Sequence, residues 1–368
     1  MIPIYKPYFT KKSLSYAHNA IDSTWISSHG KYLSMAEEKL KEITNSKYVI
    51  LTNNGTTATH LVACALNLKH PEIDNLIVPS NVYIAAWNMF RIRPQFFIEP
   101  VDSNIQTWNF DRHALEFQTL ISKKDEKTGI LVVHNLGNII NVPELQKQFP
   151  TRVIIEDNCE GFLGSYNGMA SGKAALAYSI SFFGNKTITS GEGGAFCTDD
   201  EAIYNEMNRV RAHGITSEKF IFSGIGYNYR MTNVQAALLY GQLEMVEKIK
   251  SMKQEVFDLY KEELQHPLIH FAKKEEGVIN PNWMLGIRLD ISKELMDKLI
   301  LHLHSNDVET RPMFPPINYH KHYTNLGKPG EFHISKKLYE TVLILPSYPE
   351  LTKGEIKFIC KTIKNFLK

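Results

Sequence analysis

Lys186 sits in SISFFGNKTITSGEGGAF, residues 179–196, between an aromatic β-type run and a segment containing Gly191, Gly193 and Gly194. No polar helix face surrounds it. In a buried or half-buried setting an ammonium loses hydration and its pKa falls. That suits a lysine that carries a cofactor or takes a proton. Read alone, the residue is an ordinary solvated lysine, so the neighbouring segments decide.

In NNGTTATHL, Gly55, Thr56 and Thr57 stand at a helix start, where unpaired backbone N–H groups and the helix dipole favour a phosphate. A capped helix without a ligand is the plainer reading of that segment alone. VPSNVYIAAWNMF puts Tyr83 and Trp87 just after a strand end, where an aromatic ring either stacks on a planar ligand or fills core. VIIEDNCEGFLG ends an apolar strand in Glu156 and Asp157, with Glu160 three residues on. A carboxylate there is costly unless paired, so a positive partner is expected, either an arginine or a protonated ring nitrogen. A phosphate nest, a stacking ring, a strand-end aspartate and a reactive lysine are together the parts that pyridoxal phosphate requires. The competing dinucleotide site lacks its GxGxxG after any of these strands.

The elements that must position these residues read as an α/β chain. Residues 34–44, SMAEEKLKEIT, have helical spacing. After them, YVILTNNGTTATHLVACAL, LIVPSNVYIAAWNMF, PQFFIEPVD, GILVVHNLGN and RVIIEDNCEGF repeat a strand, turn and helix grammar. Short continuous apolar runs of this kind predict a mainly parallel sheet covered on both faces, with ligands at the carboxyl ends of its strands. From GYNYRM to about residue 265 the pattern is one long helix or two joined helices. Beyond it lie the strands GVINPNWMLGIRLD and the helix SKELMDKLILHLHSND. The expected division is a large domain, 1–250, and a small α+β domain, 251–368.

Composition narrows the function. The 43% hydrophobic and 22% charged residues are those of a soluble globular chain. A net charge of +2 without basic blocks argues against a nucleic-acid partner. Cys64, Cys159, Cys197 and Cys360 form no CxxC pair and fit neither a zinc site nor a disulfide framework. With no signal-peptide core and no span-length apolar run, a cytoplasmic location and no membrane partner are expected. HLHS and HKHY, each with two histidines at i, i+2, offer no third ligand, and no metal is expected.

Several segments in order resemble the DegT/DnrJ/EryC1/StrS family of sugar-nucleotide aminotransferases: NNGTTATHL, VPSNVYIA, VVHNLGN, IEDNCEGFLGSYNG, SISFFGNKTITSGEGGAF, GYNYRMTNVQAALLYGQLE and TRPMFPP. The GNKTIT-SGEGG and EDxCE forms are most similar to the GDP-perosamine synthase branch. The resemblance implies the aspartate-aminotransferase-like fold of type I pyridoxal-phosphate enzymes. In it Lys186 would form the internal Schiff base, and Asp157 would hold the ring nitrogen protonated. Glu160 would approach the ring hydroxyl. Gly55, Thr56, Thr57 and Ser181 would bind the phosphate, and Tyr83 would stack on the ring. Asn228 would reach the phosphate of a partner subunit, making a homodimer with shared sites. Trp25, Ser27, Arg230, Arg311 and His320 lie in segments that line the sugar-nucleotide cleft in relatives.

The implied reaction moves an amino group, by analogy from L-glutamate, to an NDP-4-keto-6-deoxyhexose. The product is a 4-amino-4,6-dideoxy sugar nucleotide of perosamine or viosamine type. Transfer at C3, and a non-catalytic nucleotide-binding protein, are the alternatives. A sugar 3-dehydratase of this fold carries histidine in place of the lysine, so Lys186 argues against dehydration. Two departures bear on sugar choice: Asn135 and Leu136 follow His134 where relatives carry an aromatic, and PPINYHKHY does not follow the common pattern.

Overall fold

The structure, a computed structural model, describes residues 1–92, 94–121, 127–218, 220–326 and 331–368. Helices α1 (Lys11–Asp22) and α2 (Lys31–Thr44) precede strand β1 (Tyr48–Thr52). There follow α3 (Gly55–Lys69), β2 (Asn75–Pro79), α4 (Ala85–Asn88), β3 (Phe97–Val101), α5 (Arg112–Ile121), β4 (Thr128–Val133), α6 (Val142–Gln148) and β5 (Ile154–Asp157). The hairpin of β6 (Ser165–Tyr166) and β7 (Met169–Ala170) leads to β8 (Ala177–Ser181), β9 (Gly194–Thr198) and α7 (Glu201–Val210). The remainder is α8 (Asn233–Leu243), α9 (Val246–Glu263), β10 (Ile269–His270), β11 (Val278–Ile279), β12 (Leu285–Leu289), α10 (Lys293–Ser305), β13 (Arg311–Pro312), α11 (His333–Thr341), β14 (Val342–Leu345) and α12 (Lys353–Phe366).

Seven strands form one sheet in the order β1-β9-β8-β5-β4-β2-β3. Only β9 runs against its neighbours β1 and β8; the pairs β8–β5, β5–β4, β4–β2 and β2–β3 are parallel. Every residue of β2, β4, β5, β8 and β9 is buried, as strands covered on both faces require. Pro100 lies in β3, at the sheet edge, where a missing N–H donor is tolerated.

Apolar side chains of α3 and α7 cover one face, and those of α2 and α8 pack near β1, β8 and β9. The expected helical run after GYNYRM is two helices, α8 and α9, separated at Glu244 and Met245. The strands expected over 277–290 are β11 and β12. Pro281, and Asn282 at φ 53°, turn the chain between them, so β11 pairs with β6 while β12 enters a second sheet, β10-β12-β14-β13.

Helix α9 runs through position 250. Its Val246 and Ile249 belong to the core of α2 and α8, and its Val256, Phe257 and Tyr260 to the core of α10 and α12. Ile2 and Tyr5, from the start of the chain, pack on that second core, and Ile2 bridges Val308. Among the described residues no helix is long and apolar enough to cross a membrane.

Candidate active site

The carboxyl ends of β4, β5 and β8 open into a cleft of about 400 Å³. Gly55, Thr56, Tyr83, Asp157, Glu160, Ser181, Lys186 and Arg311, eight residues expected from sequence, all line it. This is the place that strand order and α/β architecture dictate.

One end of the cleft is the start of α3. Asn54 caps the helix by accepting the Thr57 N–H at 2.9 Å, and Asn53 accepts the Thr57 hydroxyl at 2.8 Å. Thr57 is therefore turned to its own cap and is not among the lining residues. The N–H groups of Gly55 and Thr56 belong to the first turn, which has no intrahelical acceptors. Gly55 lets this turn press on β8: a Cβ there would stand 2.6 Å from Ser181 Cβ. Gly194 does the same from β9, where a Cβ would meet Asn54 O at 2.4 Å.

Side chains alternate along a strand, so adjacent Glu156 and Asp157 part company. Glu156 points away from the cleft, and its partner is an imidazole rather than the arginine considered from sequence. His134 Nε2 lies 2.8 Å from its Oε2, and both side chains are fully buried. Because His134 Nδ1 accepts the Ile140 N–H at 3.1 Å, the ring proton sits on Nε2 and donates to Glu156. Gly172 N–H donates to the same carboxylate at 2.9 Å.

Asp157 faces the cleft. It accepts the Cys159 N–H at 3.1 Å and forms no salt bridge among the described residues. A 5% exposed carboxylate held only by neutral donors fits a cation brought by a ligand. Glu160 accepts the Leu136 N–H at 2.8 Å. Burial pushes its carboxyl up to about 7, opposed by the Lys186 ammonium and by that backbone N–H, and assisted by the Asp157 charge. Burial, helped by Asp157, likewise raises the Cys159 thiol well above its usual range.

Lys186 rides on the loop between β8 and β9. The loop folds on itself through Ser190 N–H to Phe182 O at 3.0 Å and Phe182 N–H to Gly193 O at 2.8 Å. Gly191 at φ 86° and Gly193 at φ 150° take backbone conformations that suit glycine. Two distant residues clamp the loop: the Tyr5 hydroxyl donates to Lys186 O at 2.9 Å, and Trp283 Nε1 donates to Asn185 O at 2.8 Å. The Lys186 ammonium lies 3.8 Å from the centroid of the Trp283 ring. Tyr83, 59% exposed, stands edge-on to Phe314 at 6.0 Å on the opposite wall.

The other expected residues lie elsewhere on this chain. Asn228 is exposed and accepts from Arg230 Nε at 3.1 Å, while Arg230 reaches His213. Trp25 and Ser27 are exposed beside the start of α8, their carbonyls accepting from Asn233. The His320 ring contacts Trp87 at 5.7 Å. Trp283, Cys159, Asn185 and Phe314 line the cleft without having been anticipated. Trp283 follows Lys186 by almost a hundred residues, and nothing local in NWMLG marks it.

A seven-stranded sheet of this order, with a lysine-bearing loop after β8, is the architecture of aspartate-aminotransferase-like enzymes that use pyridoxal phosphate. The sequence pattern of the DegT/DnrJ/EryC1/StrS aminotransferase family matches residues 7–364, and the chain belongs to that family. It is 34% identical to a GDP-perosamine synthase of Escherichia coli O157:H7, covering 99% of this chain and 98% of the relative. With a GDP-perosamine synthase of Vibrio cholerae it shares 32% identity over 100% of this chain and 99% of the relative. Among solved structures, Helicobacter pylori PseC, an aminotransferase involved in the biosynthesis of pseudoaminic acid, superposes with a TM-score of 0.89 at 21% identity, covering 99% of this chain and 98% of that one. The E. coli GDP-4-keto-6-deoxy-D-mannose-3-dehydratase with bound hydrated pyridoxal phosphate gives 0.89 at 21% identity, covering 99% of both chains. At these identities the last two agree with this chain in fold.

Proposed function

We propose that this protein transfers the amino group of L-glutamate to C4 of a GDP-linked 4-keto-6-deoxyhexose, giving a 4-amino-4,6-dideoxy sugar nucleotide. One observation carries the reading: Lys186, buried Asp157 and the first turn of α3 converge on a single cleft. The two full-length relatives named for GDP-perosamine support the sugar and the nucleotide. The cofactor is pyridoxal phosphate.

The cleft residues fit that cofactor. Gly55 and Thr56, with Ser181 beside them, would hold its phosphate through backbone N–H groups and a hydroxyl. Asp157, which forms no salt bridge among the described residues, would hold its ring nitrogen in the protonated form. Tyr83 would cover the ring. Pyridoxal phosphate supplies a carbonyl carbon that carries the amine and a ring that takes up the electron pair of the donor's Cα–H bond.

Lys186 Nζ would hold that carbon until the donor's amine displaces it. The freed lysine amine would then remove the donor's Cα proton and, in the second half-reaction, deliver a proton to C4 of the sugar. The Trp283 face and the clamps at Lys186 O and Asn185 O orient the lysine for both transfers. Glu160, whose carboxyl burial raises to about 7, would face the ring hydroxyl. Arg311, on the cleft rim, is the cation available to the substrate's diphosphate.

We further infer a homodimer in which Asn228, Arg230, Trp25 and Ser27 complete the partner's cleft. The exposed Ile215, Phe220, Ile221, Phe222 and Ile225 between α7 and α8 support an apolar seat for a second copy. His320 is assigned to the sugar side of the same shared cleft. Four cysteines outside any disulfide support work in the cytoplasm. Two structural units joined within α9 account for the two cores.

Absorption spectra test the central claim. The purified protein should show a visible band that L-glutamate moves to the near ultraviolet and that Lys186→Ala alters. A panel of GDP-, UDP- and dTDP-linked keto sugars should restore the visible band, the GDP-4-keto-6-deoxyhexose most rapidly. A colourless protein that gains no band with pyridoxal phosphate would overturn the assignment.

A further inference from the structure

Lys253, in α9, is fully buried and makes no ion pair among the described residues. Lysine is rarely so placed. Its ammonium donates to the carbonyl of Trp283 at 2.8 Å and to the carbonyl of Ser347. Tyr5 and Phe257 present their rings at 5.3 and 5.4 Å. Burial lowers Lys253 to about 7, so holding this group costs stability that an apolar residue would not.

Two neighbours of this ammonium, Trp283 and Tyr5, also hold the loop of the catalytic lysine. Trp283, whose carbonyl Lys253 grips, donates from its indole to Asn185 O and lays its ring 3.8 Å from Lys186 Nζ. Tyr5, whose ring lies over Lys253, donates its hydroxyl to Lys186 O at 2.9 Å. The backbone carbonyl and the indole of Trp283 thus connect two lysines that do not touch.

We propose that Lys253 is a positioning residue that sets the orientation of Lys186 by fixing the backbone of Trp283. The proposal rests on the reading of Lys186 as the catalytic lysine, but its physical content is a coupling between side chains and stands in the cofactor-free protein. A cation over an aromatic face is held in its charged form. Loosening Trp283 therefore makes Lys186 easier to deprotonate.

The test is the pH dependence of Lys186 acetylation by acetic anhydride in cofactor-free protein, read by peptide mass spectrometry. Lys253→Met should move the midpoint down by about half a unit to one unit. Trp283→Leu should do the same, and the double variant should go no further. Leu299→Ala, which opens the C-terminal core from α10, should lower the melting temperature and leave the midpoint in place.

In holoenzyme, Lys253→Met should lower kcat about tenfold with little change in the KM for L-glutamate. Where methionine prevents folding, Lys253→Gln, which keeps one donor, takes its place. An upward or unchanged midpoint, additive single effects, or an equal shift in Leu299→Ala would each overturn the proposal. The glutamate-dependent spectrum of the wild type tests the catalytic reading separately.

Discussion

His134 and Glu156 meet at 2.8 Å with neither side chain exposed, directly behind the aspartate that faces the cleft. Besides His134, Glu156 is held by the Gly172 N–H, and its partners anchor β5 to β4 and to the 161–172 segment. Glu156→Leu leaves the imidazole N–H and an amide without acceptors in the core. Leaving buried donors unsatisfied costs about 1–3 kcal/mol each. Urea unfolding of the cofactor-free variant should show a loss of that order. A loss under about 1 kcal/mol would mean that neither group depends on the carboxylate.

Asp157 should behave in the opposite way. Its observed partners are neutral donors, so asparagine at 157 can accept from the Cys159 N–H as the carboxylate does. The amide cannot hold a ring nitrogen protonated. Asp157→Asn should keep its melting temperature within a few degrees while kcat falls by on the order of 10²-fold. Equal turnover by the two proteins would remove Asp157 from the mechanism.

Glu160 gives a pH signature in cofactor-free protein. Its carboxyl titrates near 4.5 when unfolded and about 7 when folded. The folded state therefore holds the proton more tightly, and stability falls as pH rises from the lower value through the upper one. Glu160→Gln lacks this dependence. Between pH 5 and pH 8 the wild type should lose about 2 kcal/mol relative to the variant, measured by urea unfolding at each pH. Parallel profiles would show that Glu160 ionises normally.

Gly55 tests the close packing at the start of α3. A methyl group there would meet Ser181 Cβ at 2.6 Å, on a strand paired on both sides within the sheet and so not free to retreat. Gly55→Ala should cost about 1–3 kcal/mol of stability. Titrating the cofactor-free protein with pyridoxal phosphate should show at least tenfold weaker binding, because the helix start moves from the cleft. Unchanged affinity would place the phosphate elsewhere.

What was legible in the sequence follows from the range of the signals. The sheet strands were readable because each is a short apolar run bounded by turn residues, as in YVILT and TGILVV. Lys186, Asp157 and Gly55 were readable because each stands at the end of such a run, where α/β architecture places ligands. Strands were readable over 277–290, but not which sheet each joins, because only tertiary pairing sends β11 to β6 and β12 to β14. Trp283 and Lys253 escaped for a related reason. Their role lies in contacts across 30 to about 100 residues of chain, and periodicity in a local window carries none of that.

The shared-site dimer makes the last prediction. On one chain Asn228 is exposed and its side chain, among the described residues, bonds neighbouring Arg230, away from the cleft that holds Lys186. If Asn228 serves the partner's cleft, Lys186→Ala and Asn228→Ala impair different halves of a composite site. In a mixed dimer one cleft receives both lesions and the other receives neither. Each variant alone should be nearly inactive, and mixing them after partial unfolding and refolding should restore turnover. Sedimentation should show a dimer throughout, with Ile225→Asp shifting it toward monomer. Mixtures no more active than the separate variants, while subunit exchange is verified by mass-tagged chains, would show that each chain builds its own cleft.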